Sequence, residues 1–143
     1  MRPAIVPCLR YANAPDAILF LCDAFGFLPH AIHLDEGDQR FVHHAQLVLD
    51  GNMVMLASTP PTGEWDRFGQ LLPSEAGGVT ATLYVVLADP DAHHAKAAEA
   101  GAEILAEPHD SDGYPGRGYS ARDPEGHVWS FGSYDPFAPP QDA

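Results

Sequence analysis

The stretch that decides the fold is Gly118–Gly132, GYSARDPEGHVWSFG. Tyr119 to Arg122 and His127 to Phe131 are short runs of residues that favour a pleated sheet. Between them, Asp123-Pro124-Glu125-Gly126 is a turn, because Pro fixes φ and Gly permits positive φ. A four-residue loop predicts a hairpin in which Arg122 faces His127, Ala121 faces Val128, Ser120 faces Trp129 and Tyr119 faces Ser130. Sides alternate along a strand, so Ser120, Trp129 and Phe131 are expected in the core. The other face carries Tyr119, Ala121, Val128 and Ser130, and function is sought there.

Working outward, a second hairpin precedes this one by 75 residues, the distance from Gly51 to Gly126. Phe41 to Leu49 and Met53 to Ala57 are its strands, around Asp50-Gly51-Asn52. That offset places His44 on Tyr119, Gln46 on Ala121, Met53 on Val128 and Met55 on Ser130. Each hairpin follows a strand, a helix and another strand. In the first half these are Ala4–Tyr11, a helix opened by Asn13-Ala14-Pro15-Asp16 and stopped at Gly26, and His30–Leu34. In the second half they are Val79–Leu87, a helix over Ala92–Ala100 opened by Asp89-Pro90-Asp91, and Ala102–Ala106. The chain reads as a tandem βαβββ repeat within a single domain, with module one over 3–58, a linker over 59–78 and module two over 79–134. The linker carries Trp65, Phe68, Leu71 and Leu72 as apolar anchors, which suit a lid or a dimer contact.

A four-stranded sheet with one helix has a covered face and an open one. Two such modules can share their open faces as an eight-stranded cup with the helices outside, an α+β architecture. Strand alternation lines this cup with His44, Gln46, Met53, Met55, Tyr119, Ala121, Val128 and Ser130, and adds Val6, Cys8, Thr82 and Tyr84 from the first strands. Of these, His44, Gln46, Met55, Thr82, Tyr84, Tyr119 and Ser130 carry the groups best suited to hold a small organic ligand.

The duplicated plan, the helix from Ala17-Ile18-Leu19-Phe20 to Phe25-Gly26-Phe27, the strand His44-Ala45-Gln46-Leu47 and the hairpin RDPEGHVWSFG together resemble the vicinal oxygen chelate superfamily. That group holds glyoxalases, bleomycin-resistance proteins and extradiol dioxygenases. The resemblance implies paired modules, a cup-shaped site and a homodimer. Its metal enzymes carry one ligand on the first strand and one on the last strand of each module, and the carry-over falls on Val6 or Pro7, Met55, Thr82 and Ser130. Divalent metals need imidazole, carboxylate or thiolate donors, so no metal and no other cofactor is expected at these places.

Other chemistry is thin. Of the eight histidines, His44 alone is placed to reach a ligand. His43 must face the opposite side, His93 and His94 are expected to meet solvent on the second helix, and His127 to pair with Arg122 on the outer face. The glycine-rich run Gly113–Gly118 precedes a strand and reads as a rim, where Arg117 could attract an anion. No phosphate loop, nucleophile elbow or HExxH is present.

Composition bounds the rest. Hydrophobic residues make up 45% and aromatics 10% of 143 positions, which suits a packed core. A formal charge of −13 makes nucleic acid and anionic membranes poor partners. Cys8 and Cys22 lie in apolar stretches without CxxC spacing, and no run reaches the roughly 18 apolar residues of a membrane span, so a reduced, cytoplasmic protein is expected. The reading is a metal-free small-molecule-binding cup. The alternative is a glyoxalase- or dioxygenase-type enzyme using a divalent metal held by non-standard ligands.

Overall fold

A computed structural model describes residues 1–60 and 68–139. The element order is β1 (Cys8–Tyr11), α1 (Ala14–Phe25), β2 (Leu28–Leu34), β3 (Val42–Leu49), β4 (Asn52–Ser58), α2 (Pro73–Ala76), β5 (Leu83–Val86), α3 (Pro90–Glu99), β6 (Glu103–Asp110), β7 (Arg117–Arg122) and β8 (Val128–Gly132). Two four-stranded mixed sheets result, ordered β1-β4-β3-β2 and β5-β8-β7-β6. In each, the first strand lies parallel to the last and the middle pairs are antiparallel. This is the α+β plan expected of a duplicated βαβββ chain.

Helix α1 forms where Ala17, Ile18, Leu21, Ala24 and Phe25 recur at helical spacing, and all five are buried. Burying Ile18, Leu21 and Phe25 stabilises the fold by roughly 1.5–3 kcal/mol each. Phe25, at the end of α1, crosses into the second module, where its ring lies 5.4 Å from Trp129 and 4.7 Å from Phe131. Phe27 meets the other side of Trp129 at 5.7 Å. The covered faces of both sheets therefore share one apolar core, with α1 and α3 in contact.

Polar ties reinforce this joint. Asp123, 3% exposed, accepts from the Tyr11 hydroxyl at 2.6 Å and from Trp129 Nε1 at 3.2 Å. Its other oxygen accepts from the backbone N–H groups of Glu125 and His127. The Glu125 carboxylate accepts from the N–H groups of Ala12 and Asn13, just before α1.

The two hairpins differ at their tips. In the first, Leu49 pairs with Asn52 around Asp50 and Gly51, both at positive φ (46° and 83°). Gly suits the second position because a Cβ there would be strained. In the second, Asp123 N–H donates to His127 O, closing a turn one residue longer. Arg122 consequently pairs with Val128, Ala121 with Trp129, Ser120 with Ser130 and Tyr119 with Phe131. The expected register was one residue off, because the Asp123 carboxylate gathers two N–H groups inside the turn. A one-residue slip exchanges faces. Tyr119 and Ala121, expected in the cup, lie in the core at 2% and 0% exposure, while Ser120 moves to the open face. The first hairpin and β8 keep their expected faces. The offset between modules is 75 for Met55 and Ser130 but 74 for Gln46 and Ser120.

The first strands are shorter than expected, because Pro7 has no N–H to pair and Val79 to Thr82 run exposed before β5. Within the linker, Pro73–Ala76 forms a single helical turn, with the Glu75 carboxylate accepting from Leu72 N–H. Pro73 is buried, whereas Phe68 and Leu71 are exposed. Trp65 lies outside the described residues.

Candidate functional site

The open face of the first sheet carries Cys8, Met55 and Gln46 in one row across β1, β4 and β3. His44 lies on the same face of β3, and Gln46 Nε2 is 3.1 Å from His44 Nε2. His33 stacks on His44 at 6.2 Å. On the second sheet, Tyr84 pairs with Ser130, Ser130 Oγ lies 2.8 Å from Ser120 Oγ, and Val128 shares that face, while Thr82 lies just before β5.

Tyr84 is the best-positioned aromatic group. Its ring lies over Gly132, where an added Cβ would come within 2.7 Å of the hydroxyl, so only glycine admits it. The hydroxyl donates to Tyr134 O at 2.7 Å, leaving the residue 46% exposed. Its pKa is raised, first by desolvation and then by Tyr114, outweighing the lowering by its bond to Tyr134 O, so it is a neutral hydrogen-bonding phenol.

Between the β1 edge and β5 runs an open groove of about 1180 Å³. Its walls include Leu9, Leu49, Val54, Leu83 and Val85, and its floor reaches Phe27, Trp129 and His93. Linker residues Gly69, Gln70 and Leu71 border it, and Gln70 Nε2 donates to Cys8 O. Thr82, Tyr84, Cys8 and Met53 line the groove. His44, Gln46, Met55 and Ser130 stand outside it, on the two open faces. Tyr119 belongs to neither group.

Three histidines stand elsewhere than the sequence predicts. His93 does not face solvent: its Nε2 donates to Phe25 O at 2.9 Å, so its Nδ1 accepts from the Tyr119 hydroxyl at 2.5 Å. His94 packs edge-on against Tyr119 at 5.2 Å. The helical stretch PDAHHAKAAE has little apolar character, which concealed the inward side of α3. His127 does not pair with Arg122. It packs on Tyr11, and its Nε2 donates to Arg10 O. Arg117 is held by Asp91 and Asp110, so its charge is already matched.

Desolvation pushes the His93 pKa below its usual value, outweighing the Phe25 carbonyl, and Lys96 adds to the lowering. A depressed folded-state pKa means that the unfolded chain takes up the proton first. Stability should hold above about pH 6.5 and fall as pH drops below it. Thermal melts from pH 7.5 to 5 should show this decline, and His93→Gln should flatten it. An unchanged slope in the variant would place the titration elsewhere.

At the places onto which the resemblance carries the metal ligands, Val6 or Pro7, Met55, Thr82 and Ser130 present an alkyl group, a thioether and two hydroxyls. Cys8 and Tyr84 stand beside Met55 and Ser130; Cys8 offers a single thiol, and neither supplies imidazole or carboxylate. Among the described residues no three His, Cys, Asp or Glu side chains converge. This donor set does not fit a divalent metal.

The family model described as Glyoxalase/Bleomycin resistance protein/Dioxygenase superfamily matches residues 5–131, and the chain belongs to that superfamily. An uncharacterised protein of Mycobacterium bovis is 31% identical over 134 residues, covering 92% of this chain and 84% of the relative. Among solved structures, TioX from Micromonospora sp. ML1 superposes with a TM-score of 0.68 at 28% identity, covering 92% of this chain and 98% of its own. A glyoxalase/bleomycin resistance protein/dioxygenase from Nocardioides gives a TM-score of 0.69 at 19% identity, covering 100% and 91%.

Proposed function

We propose that this superfamily member is a metal-free small-molecule-binding protein, with its ligand seated in the groove between the modules. The observation that carries this reading is the groove itself: apolar walls, a few convergent polar groups, and no metal-ligand set at the inherited places. His44, Gln46, Met55 and Ser130 would extend the contact surface across the open faces. Unpaired Cys8 and Cys22 suit a reducing, cytoplasmic setting, and among the described residues no helix is long and apolar enough to cross a membrane.

The reading includes a homodimer. Tyr84 and Val86 on the second open face are 46% and 44% exposed, and Phe68 and Leu71 of the linker are 89% and 55% exposed. A chain of charge −13 repels its own copies except where such neutral surface meets. Light scattering should give twice 15.4 kDa at micromolar concentration, and the single mass would count against the dimer.

Nile red, a neutral solvatochromic dye, tests the groove. It should bind with a blue shift, and Thr82→Trp, which fills the groove from an exposed position, should abolish the signal. Dye binding unaffected by Thr82→Trp would refute this site. Stoichiometric tightly bound metal in protein purified without a His tag would replace the reading with the metal-enzyme alternative.

A further inference from the structure

We infer that the groove selects hydrophobic cations. The inference rests on the groove reading above and adds the sign of its ligand's charge. Among the described lining residues the only full charges are carboxylates, Asp50 on one side and Asp135 on the other, and no lysine or arginine is present. The basic side chains Arg40, Arg117 and Arg122 are matched by acids elsewhere, and Arg10 donates to Ser58 O. His93 and His127 reach the groove with Nε2 donating to the backbone carbonyls of Phe25 and Arg10, so neither offers that N–H to a ligand, and His93 Nδ1 is taken by the Tyr119 hydroxyl.

A site that excludes water from one side of a ligand strengthens whatever charge lines it. An anion entering here meets two carboxylates and the field of a −13 chain, with no described cation in the walls to compensate. A cation meets the same groups as counter-charges and the exposed ring of Tyr84, whose negative π face attracts it. Tyr84 is held in place by its bond to Tyr134 O and by the space over Gly132, so little ordering cost falls on binding. Apolar walls on β1, β4 and β5 accept the body of such a ligand, and the acidic rim takes its charge. Amphiphilic amines and quaternary or phosphonium cations with aromatic groups fit this description.

Tetraphenylphosphonium and tetraphenylborate test it, since they share size and shape and differ in sign. Displacement of Nile red should require roughly a hundredfold less phosphonium than borate, the product of two carboxylate contributions of about tenfold each. Asp50→Asn with Asp135→Asn should remove most of that preference. Asparagine is isosteric, and it tolerates the positive φ of residue 50. Glu36→Gln with Glu99→Gln removes the same net charge outside the groove and should leave the preference intact. Tyr84→Leu should weaken the cation about threefold to fivefold more than it weakens Nile red.

Equal displacement by both ions overturns the inference and leaves the groove reading standing. So does a preference that drops equally in both double variants, since it would then report net charge. Failure of Nile red to bind removes the groove reading, and the inference with it.

Discussion

Asp123→Ala should lower stability by about 3–5 kcal/mol, although it deletes only a small polar side chain. The carboxylate is buried and accepts from the Tyr11 hydroxyl, Trp129 Nε1 and two backbone N–H groups. Removing it leaves those donors facing protein, and each buried donor without a partner costs about 1–3 kcal/mol. In a chain of this size roughly 3 °C of Tm is lost per kcal/mol, so calorimetry should register a drop of about 10–15 °C. Asp123→Asn keeps one acceptor oxygen and should lose less than half as much. A drop of under 3 °C for the alanine variant would show that the turn does not depend on this carboxylate.

Trp129→Ala should cost a similar amount, about 3–5 kcal/mol, for a different reason. Trp129 has no exposure and fills the space between Phe25, Phe27 and Phe131, so truncation opens a cavity where the two modules meet. Trp129→Phe retains most of the packing and should cost about 1–2 kcal/mol, including loss of the bond to Asp123. Because Asp123 and Trp129 touch, the double alanine variant should be less destabilised than the sum of the two. Strict additivity in urea melts would mean that the two residues act independently.

The repeat, the two hairpins and the buried position of Trp129 were legible because period-two alternation and turn residues repeat across both halves. The faces of β3, β4 and β8 were legible for the same reason, so Met55 and Ser130 stand where sequence placed them, on open faces. Tyr119 was misplaced by a single residue of turn length. Nothing in Asp-Pro-Glu-Gly announces that its aspartate will draw His127 N–H into the turn. His93 was missed because its partners, Phe25 O and Tyr119, lie 68 and 26 residues away in sequence. The groove was illegible because it forms between modules, and alternation reports only the face a residue takes within its own sheet.

The contact between Tyr11 and Asp123 spans 112 residues, nearly the length of the chain. It has a kinetic consequence. Contacts within each sheet are far shorter in sequence, and loop-closure entropy favours making those first. During synthesis the first sheet can form while β7 and β8 are still missing, leaving Phe25 and Phe27 without Trp129. A nascent chain therefore passes through a stage with an aromatic surface bare to solvent, until the last hairpin arrives to cover it.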